Sequence, residues 1–194
     1  MDEKELNQKL YDMFKEMLLV LEKSKQGFLA ESEKLLNESE TRLNGILTSN
    51  LPFTEEVVKK ISKDELDKKY LSLLPHLQLM AATVQNLLEQ EKKKIKSGAL
   101  FTEKAVNEIR ELHGLIQTQF QDATDYILTR NPRLKSTLKG EMEKLFKTAE
   151  QDATEHEIRL ITGLCMAQAS FLYLAIVDCI KRVSRELTNF TEAL

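Results

Sequence analysis

Apolar residues return every three or four positions over most of this chain, with polar residues filling the faces between them. That period predicts helices and not strands, whose side chains alternate every second residue. The longest apolar stripe lies between Leu164 and Leu194, on Met166, Ala169, Tyr173, Ile176, Ile180, Val183, Leu187, Phe190 and Leu194. A helix with so continuous a stripe must bury it, so the rest of the chain is expected to supply the covering helices.

The other segments follow the same rule. Leu6, Leu10, Met13, Met17 and Leu21 predict a first helix from Glu3 to Ser24 that ends near Gly27, and Leu29, Leu36, Leu43 and Leu47 a second over 28–48, the alternative being one long helix that tolerates Gly27. Ser49-Asn50-Leu51-Pro52 predicts a stop, because proline disfavours helix in the residue before it. A short helix over 54–60 and an N-cap at Asp64 then lead into a helix through Leu66, Tyr70, Leu73, Leu77, Met80, Val84 and Leu87 to Lys96, kinked or begun at Pro75. Ser97-Gly98 closes it, and Thr102 caps a helix that turns Ala105, Ile109, Leu112, Ile116, Phe120 and Ile127 inward. Asn131-Pro132 breaks that helix. Another runs from Arg133 through Leu138, Met142, Leu145, Ala149, Ala153 and His156 to Ile161, before a turn at Gly163. The order divides into two echoing sets of three helices, 1–97 and 98–194, with Asn86 and Asn189 at equivalent places in the two closing helices.

Composition supports an all-α chain. Among 194 residues only 6 are Gly and 3 are Pro, while Lys, Glu, Leu and Gln run throughout. The 28 basic and 31 acidic residues leave a net charge of −3, which gives no basic footprint for nucleic acid. The lysines at 92, 93, 94 and 96 fit the negative end of a helix dipole. Cys165 and Cys179 are expected about 21 Å apart on one helix, too far to bridge, which fits a reducing cytosol. The apolar run from Ile161 to Val177 is interrupted by Thr162, Gln168 and Ser170 and is shorter than the roughly 20 residues a bilayer needs. It is expected to be a core helix with no direct membrane insertion.

No glycine-rich phosphate loop and no His-Glu-x-x-His occurs. The histidines, His76, His113 and His156, lie far apart, and none has a second His or Cys at three or four residues' spacing, as a zinc site on a helix would require. Cys165, beside Met166 and Ala167, reads as a small core hydrophobe. Glu155 and Arg159 form an i,i+4 pair that supports a helix. No catalytic residue, metal ligand or cofactor is therefore expected, and an interaction or regulatory module is favoured over an enzyme.

Three stretches carry a family resemblance. They are Ser97-Gly98-Ala99-Leu100-Phe101-Thr102-Glu103-Lys104-Ala105 followed by Ile109-Arg110-Glu111-Leu112-His113; Glu155-His156-Glu157-Ile158-Arg159-Leu160 with Gly163 and Cys165; and Phe171 to Val183, ending at Leu187-Thr188-Asn189-Phe190. In this order and spacing they resemble PhoU-like domains, most of all the cytoplasmic PhoU-like part of bacterial sodium/phosphate cotransporters. The resemblance covers the second half well and the first loosely. It implies a PhoU-like pair of three-helix bundles, six long helices running up and down, acting without catalysis as a regulatory or accessory domain of phosphate uptake. The implied partner is the membrane domain of a phosphate transporter or another protein, with a homodimer as a further expectation. The implied location is cytoplasmic, at the inner face of the cell membrane where the chain is part of a larger transporter.

One departure from the family's pattern bears on function. The family's Glu-x-x-x-Asp motif places two carboxylates on an exposed face of each closing helix to hold iron or zinc clusters. Counted back from Asn86 and Asn189, those positions hold Gln78 and Ala82 in one half and Lys181 and Arg185 in the other. A lysine and an arginine repel a cation that needs carboxylate oxygens, so no metal is expected there. Lys181, Arg182, Arg185 and Asn189 form instead a candidate face for an acidic partner or an anion, with Asp178 and Glu186 as the residues able to neutralise it. The rival expectation is a stand-alone helical adaptor or dimerisation module unrelated to phosphate.

Overall fold

The computed structural model describes the backbone of residues 3–59 and 65–194, with side chains described for 3–49 and 71–194. Six helices account for nearly all of it: α1 (Glu3–Leu29), α2 (Glu33–Lys59), α3 (Glu65–Lys96), α4 (Glu103–Thr129), α5 (Pro132–Ile161) and α6 (Ala167–Ala193). The fold is all-α, with no strand among the described residues.

Three of the turns end their helices in the same way. Glu31, Gly98 and Gly163 each take a left-handed backbone, with φ of 49°, 63° and 74°. The following amide reaches back five residues in each case, Ser32 to Gly27, Ala99 to Lys94 and Leu164 to Arg159. These bonds satisfy carbonyls that the helix end would otherwise orphan. Gly98 and Gly163 advertise such turns because glycine has no Cβ to clash at positive φ; Glu31 does not.

The first turn therefore departs from the sequence expectation. α1 continues through Ser24 and Gly27 to Leu29, and the chain turns at 30–32. Gly27 has a packing role instead, since a Cβ there would lie 2.7 Å from Leu36 Cδ2 and 3.1 Å from the Leu36 amide nitrogen. The expected stop at Ser49–Pro52 is also overturned. α2 runs unbroken from Glu33 to Lys59, because one proline removes one amide donor without ending a helix whose neighbouring bonds remain. Pro75 likewise lies inside α3. The expected cap at Asp64 lies outside the described residues.

Thr102 caps α4 as expected, accepting from the Ala105 amide at 3.2 Å. Asn131 caps α5, accepting from the Arg133 amide at 3.0 Å, with Pro132 as the first helical residue. α6 starts three residues later than its stripe suggested. Met166 is its N-cap and is exposed with Leu164, whereas Ala169, Tyr173, Ile176, Ile180, Val183, Leu187 and Phe190 are buried.

Helices α1, α2 and α3 contact one another, as do α4, α5 and α6. Across these groups α3 packs along α6, α1 along α4, and one hydrophobic core runs through all six helices. Phe14 of α1 meets Phe120 of α4 at 5.6 Å and Phe190 of α6 at 4.8 Å between ring centroids. Phe28 and Tyr173 flank Phe101, each at 6.2 Å, so the turns at 30–32, 97–102 and 162–166 gather at one end.

Candidate functional site

The α6 face is built from a helical repeat of four, which puts Lys181, Arg185 and Asn189 in one row. The structure brings Lys181 and Arg185 together over a ring that the sequence reading passed over. The Lys181 ammonium lies 5.0 Å, and the Arg185 guanidinium 5.2 Å, from the centroid of Phe146 on α5. Both cations rest on the electron-rich ring face, which holds like charges side by side. Phe146 and Glu150, one turn apart on α5, were the available signal.

Neutralisation along this row is partial. The Lys181 side chain is 24% exposed and reaches Glu150 at 3.8 Å. Arg182 points away and pairs with Asp178 at 2.8 Å, both well exposed. Glu186 turns to His76 on α3, at 3.0 Å, and not to the cationic row. Asn189 is half-buried, and Gln78 and Ala82 are exposed on α3. These groups do not fit an iron or zinc cluster: the two rows hold two cations, an amide and a methyl group. Among the described residues no group of three or more His, Cys, Asp or Glu is placed to hold a metal.

Two polar clusters inside the bundle were not legible in the sequence. In the first, Glu91 of α3 accepts from Ser24 Oγ of α1 at 2.7 Å and lies 2.8 Å from His113 Nε2 of α4. All three residues are 0% exposed. Ser24 gives its proton to the carboxylate and not to the imidazole, so this trio lacks the nucleophile–base contact that activates a serine.

The second cluster joins α4, α5 and α6. Arg159 grips Glu108 with two nitrogens at 2.9 and 2.6 Å, and Tyr173 donates to Glu108 Oε2 at 2.7 Å. Burial, then the bond to Glu108, holds the Tyr173 phenol above its usual range. Arg159 thus serves Glu108 across the bundle and not Glu155, as its spacing suggested; Glu155 pairs with Lys104 at 3.3 Å. His156 stacks on Tyr173 at 4.1 Å and lies 2.8 Å from Ser170 Oγ. Its Nδ1 faces an Arg159 nitrogen at 3.3 Å, which can only donate. The imidazole proton therefore sits on Nε2 and points at Ser170, the wrong tautomer for a general base. Burial and the Arg159 charge both lower the His156 pKa.

Two carboxyls, one beside this cluster and one further along α5, are pushed upward. Burial, then Glu108, raises Asp152 to about 6, and burial with Asp122 raises Glu141 to about 7. Cys179 is buried, its thiol raised to about 11 by burial. Cys165 does not join the core; it is half-buried in the turn before α6, and both cysteines are free.

A scan against family models finds no match, and neither does a comparison with curated protein sequences. The fold is nevertheless similar to the crystal structure of PhoU from Pseudomonas aeruginosa. The TM-score is 0.86 at 11% sequence identity, over 98% of this chain and 93% of that one. The chain thus has a PhoU-like fold.

Proposed function

We propose that this protein is a non-enzymatic regulatory or accessory domain of phosphate uptake. It would act in the cytoplasm by helix-face contact with the membrane domain of a transporter, with a sodium/phosphate cotransporter as the first candidate. Its working unit is the pair of halves 1–97 and 98–194, and its contact face is Lys181, Arg185 and Asn189 on α6, with Arg182 at the edge beside Asp178. The observation that carries the reading is the likeness of the whole chain to a PhoU structure. The chemistry agrees with it. Neither buried serine cluster is arranged to activate a nucleophile, and two cations seated on one ring suit an acidic surface or an anion such as phosphate. No helix among the described residues is long and apolar enough to cross a membrane, so membrane proximity would come through a partner or another part of a larger chain.

The test is uptake of radiolabelled phosphate by cells in which the chain is deleted and then restored. Deletion should change uptake at least twofold and the wild-type chain should restore it. K181E/R185E should fold normally yet fail to restore. Unchanged uptake in the deletion strain rules the reading out, and full restoration by K181E/R185E removes the α6 face from it.

A further inference from the structure

The end of the bundle where three turns gather leaves large apolar side chains in water. Leu100 is 77%, Ile161 84% and Phe171 73% exposed, with Leu164 and Met166 similarly uncovered. Scattered exposed hydrophobes are ordinary; several gathered on the turns of one bundle end are not. Between the end of α3 and the start of α6 this surface dips into an open groove of about 640 Å³, with Phe171 and Leu172 as apolar lining and Lys93 and Lys96 beside them.

The charges around the groove are unevenly satisfied. Lys92 and Lys94 are tied to Glu40 and Glu31, and Lys96 reaches Glu33 only at 3.9 Å. Lys93 is exposed and has no carboxylate within ion-pair distance among the described residues. The first turn of α6 opens on the same groove, and its N-cap, Met166, offers no side-chain acceptor to the free amides. Two lysines and an uncapped helix N-terminus all favour negative charge at the edge of an apolar floor.

We infer that this groove receives an amphipathic helix of a partner protein, its apolar seam on Phe171 and Leu172 and its carboxylates on Lys93, Lys96 and the start of α6. The recognition is helix-in-groove, with anchors at three- and four-residue spacing. A second copy of this chain fits poorly, because a two-fold contact would set the lysines of one groove toward those of the other. An anionic bilayer fits poorly too, since exposed Glu103 and Glu157 stand at the same end of the bundle. The inference concerns the partner's chemistry and holds whether or not that partner serves phosphate uptake.

The test uses two fluorescein-labelled synthetic amphipathic helices with the same leucine seam, one with glutamates and one with lysines on the flanks, titrated with the full chain and read by anisotropy. The acidic peptide should bind at least tenfold more tightly than the basic one and weaken as salt rises. F171E should reduce acidic-peptide binding at least tenfold with an unchanged melting temperature, since Phe171 is exposed. K93E/K96E should reverse the preference. Equal binding of the two peptides, absence of binding, or indifference to F171E overturns the inference. So does co-sedimentation with phosphatidylcholine/phosphatidylglycerol vesicles, or dimerisation by light scattering, that F171E abolishes while peptide binding persists.

Discussion

The two buried polar clusters solve the same problem in different surroundings. Glu91 joins α1, α3 and α4 with partners from which water is wholly excluded, whereas Glu108 joins α4, α5 and α6 through Arg159, which keeps some access to solvent, and lies near exposed Lys104. A carboxylate inside a bundle is costly until its oxygens are occupied. The sealed cluster has no substitute for a lost partner, whereas in the outer one Arg159 can fall back on water although Tyr173 cannot. Buried polar bonding therefore ties α1, α3 and α4 together more tightly than it ties α4, α5 and α6.

Deleting one acid at a time tests that contrast most severely. Glu91→Ala should cost about 3–5 kcal/mol in urea unfolding, because His113 and Ser24 are left buried without their acceptor. Glu108→Ala should cost clearly less, since Arg159 can turn outward; equal losses would erase the distinction.

Packing beside the sealed cluster is as unforgiving. Gly27→Ala should destabilise by about 1–3 kcal/mol as the new methyl meets Leu36, although alanine is the better helix former. Gly45→Ala, on α2 where a Cβ meets nothing within 4 Å, should stabilise by about 0.5–1 kcal/mol. Calorimetry showing the same sign for both would mean that α1 and α2 do not approach as described.

In the outer cluster Tyr173→Phe removes one bond to a charged acceptor and should cost about 1.5 kcal/mol, less than the loss of Glu91. The last effect is that of pH. Asp152 holds its proton up to about pH 6 when folded, against an ordinary 3.8. Its ionisation thus opposes folding fully above that pH and progressively less as pH falls toward 4. Asp152→Asn should raise the melting temperature at pH 8 and leave it nearly unchanged at pH 4. An increase of equal size at both pH values would assign the effect to something other than that proton.

Helix content and most boundaries were legible because they rest on local chemistry. Thr102, Asn131-Pro132, Gly98 and Gly163 act on their own few residues, and the stripe from Ala169 to Phe190 needs only its period to be read. The turn at Glu31 was missed because glutamate there carries no turn signal, and Gly27 four residues earlier carries a false one. Of the α6 face, Lys181 and Arg185 were legible as neighbouring cations, but the turning away of Arg182 and the Phe146 ring beneath the other two were not. The exposure of Leu164, Met166 and Phe171 was hidden by the same apolar pattern that elsewhere means core.

The sequence by itself determined what each helix had to bury and where most of them end, since period, caps and turn residues act within a few positions. Only the tertiary structure decided which buried carboxylate meets which histidine, arginine or tyrosine, and which apolar side chains stay in water. Those outcomes depend on partners 22 to 67 residues away, as His113 and Ser24 are from Glu91. No local periodicity encodes such distances; they follow from six helices sharing one core.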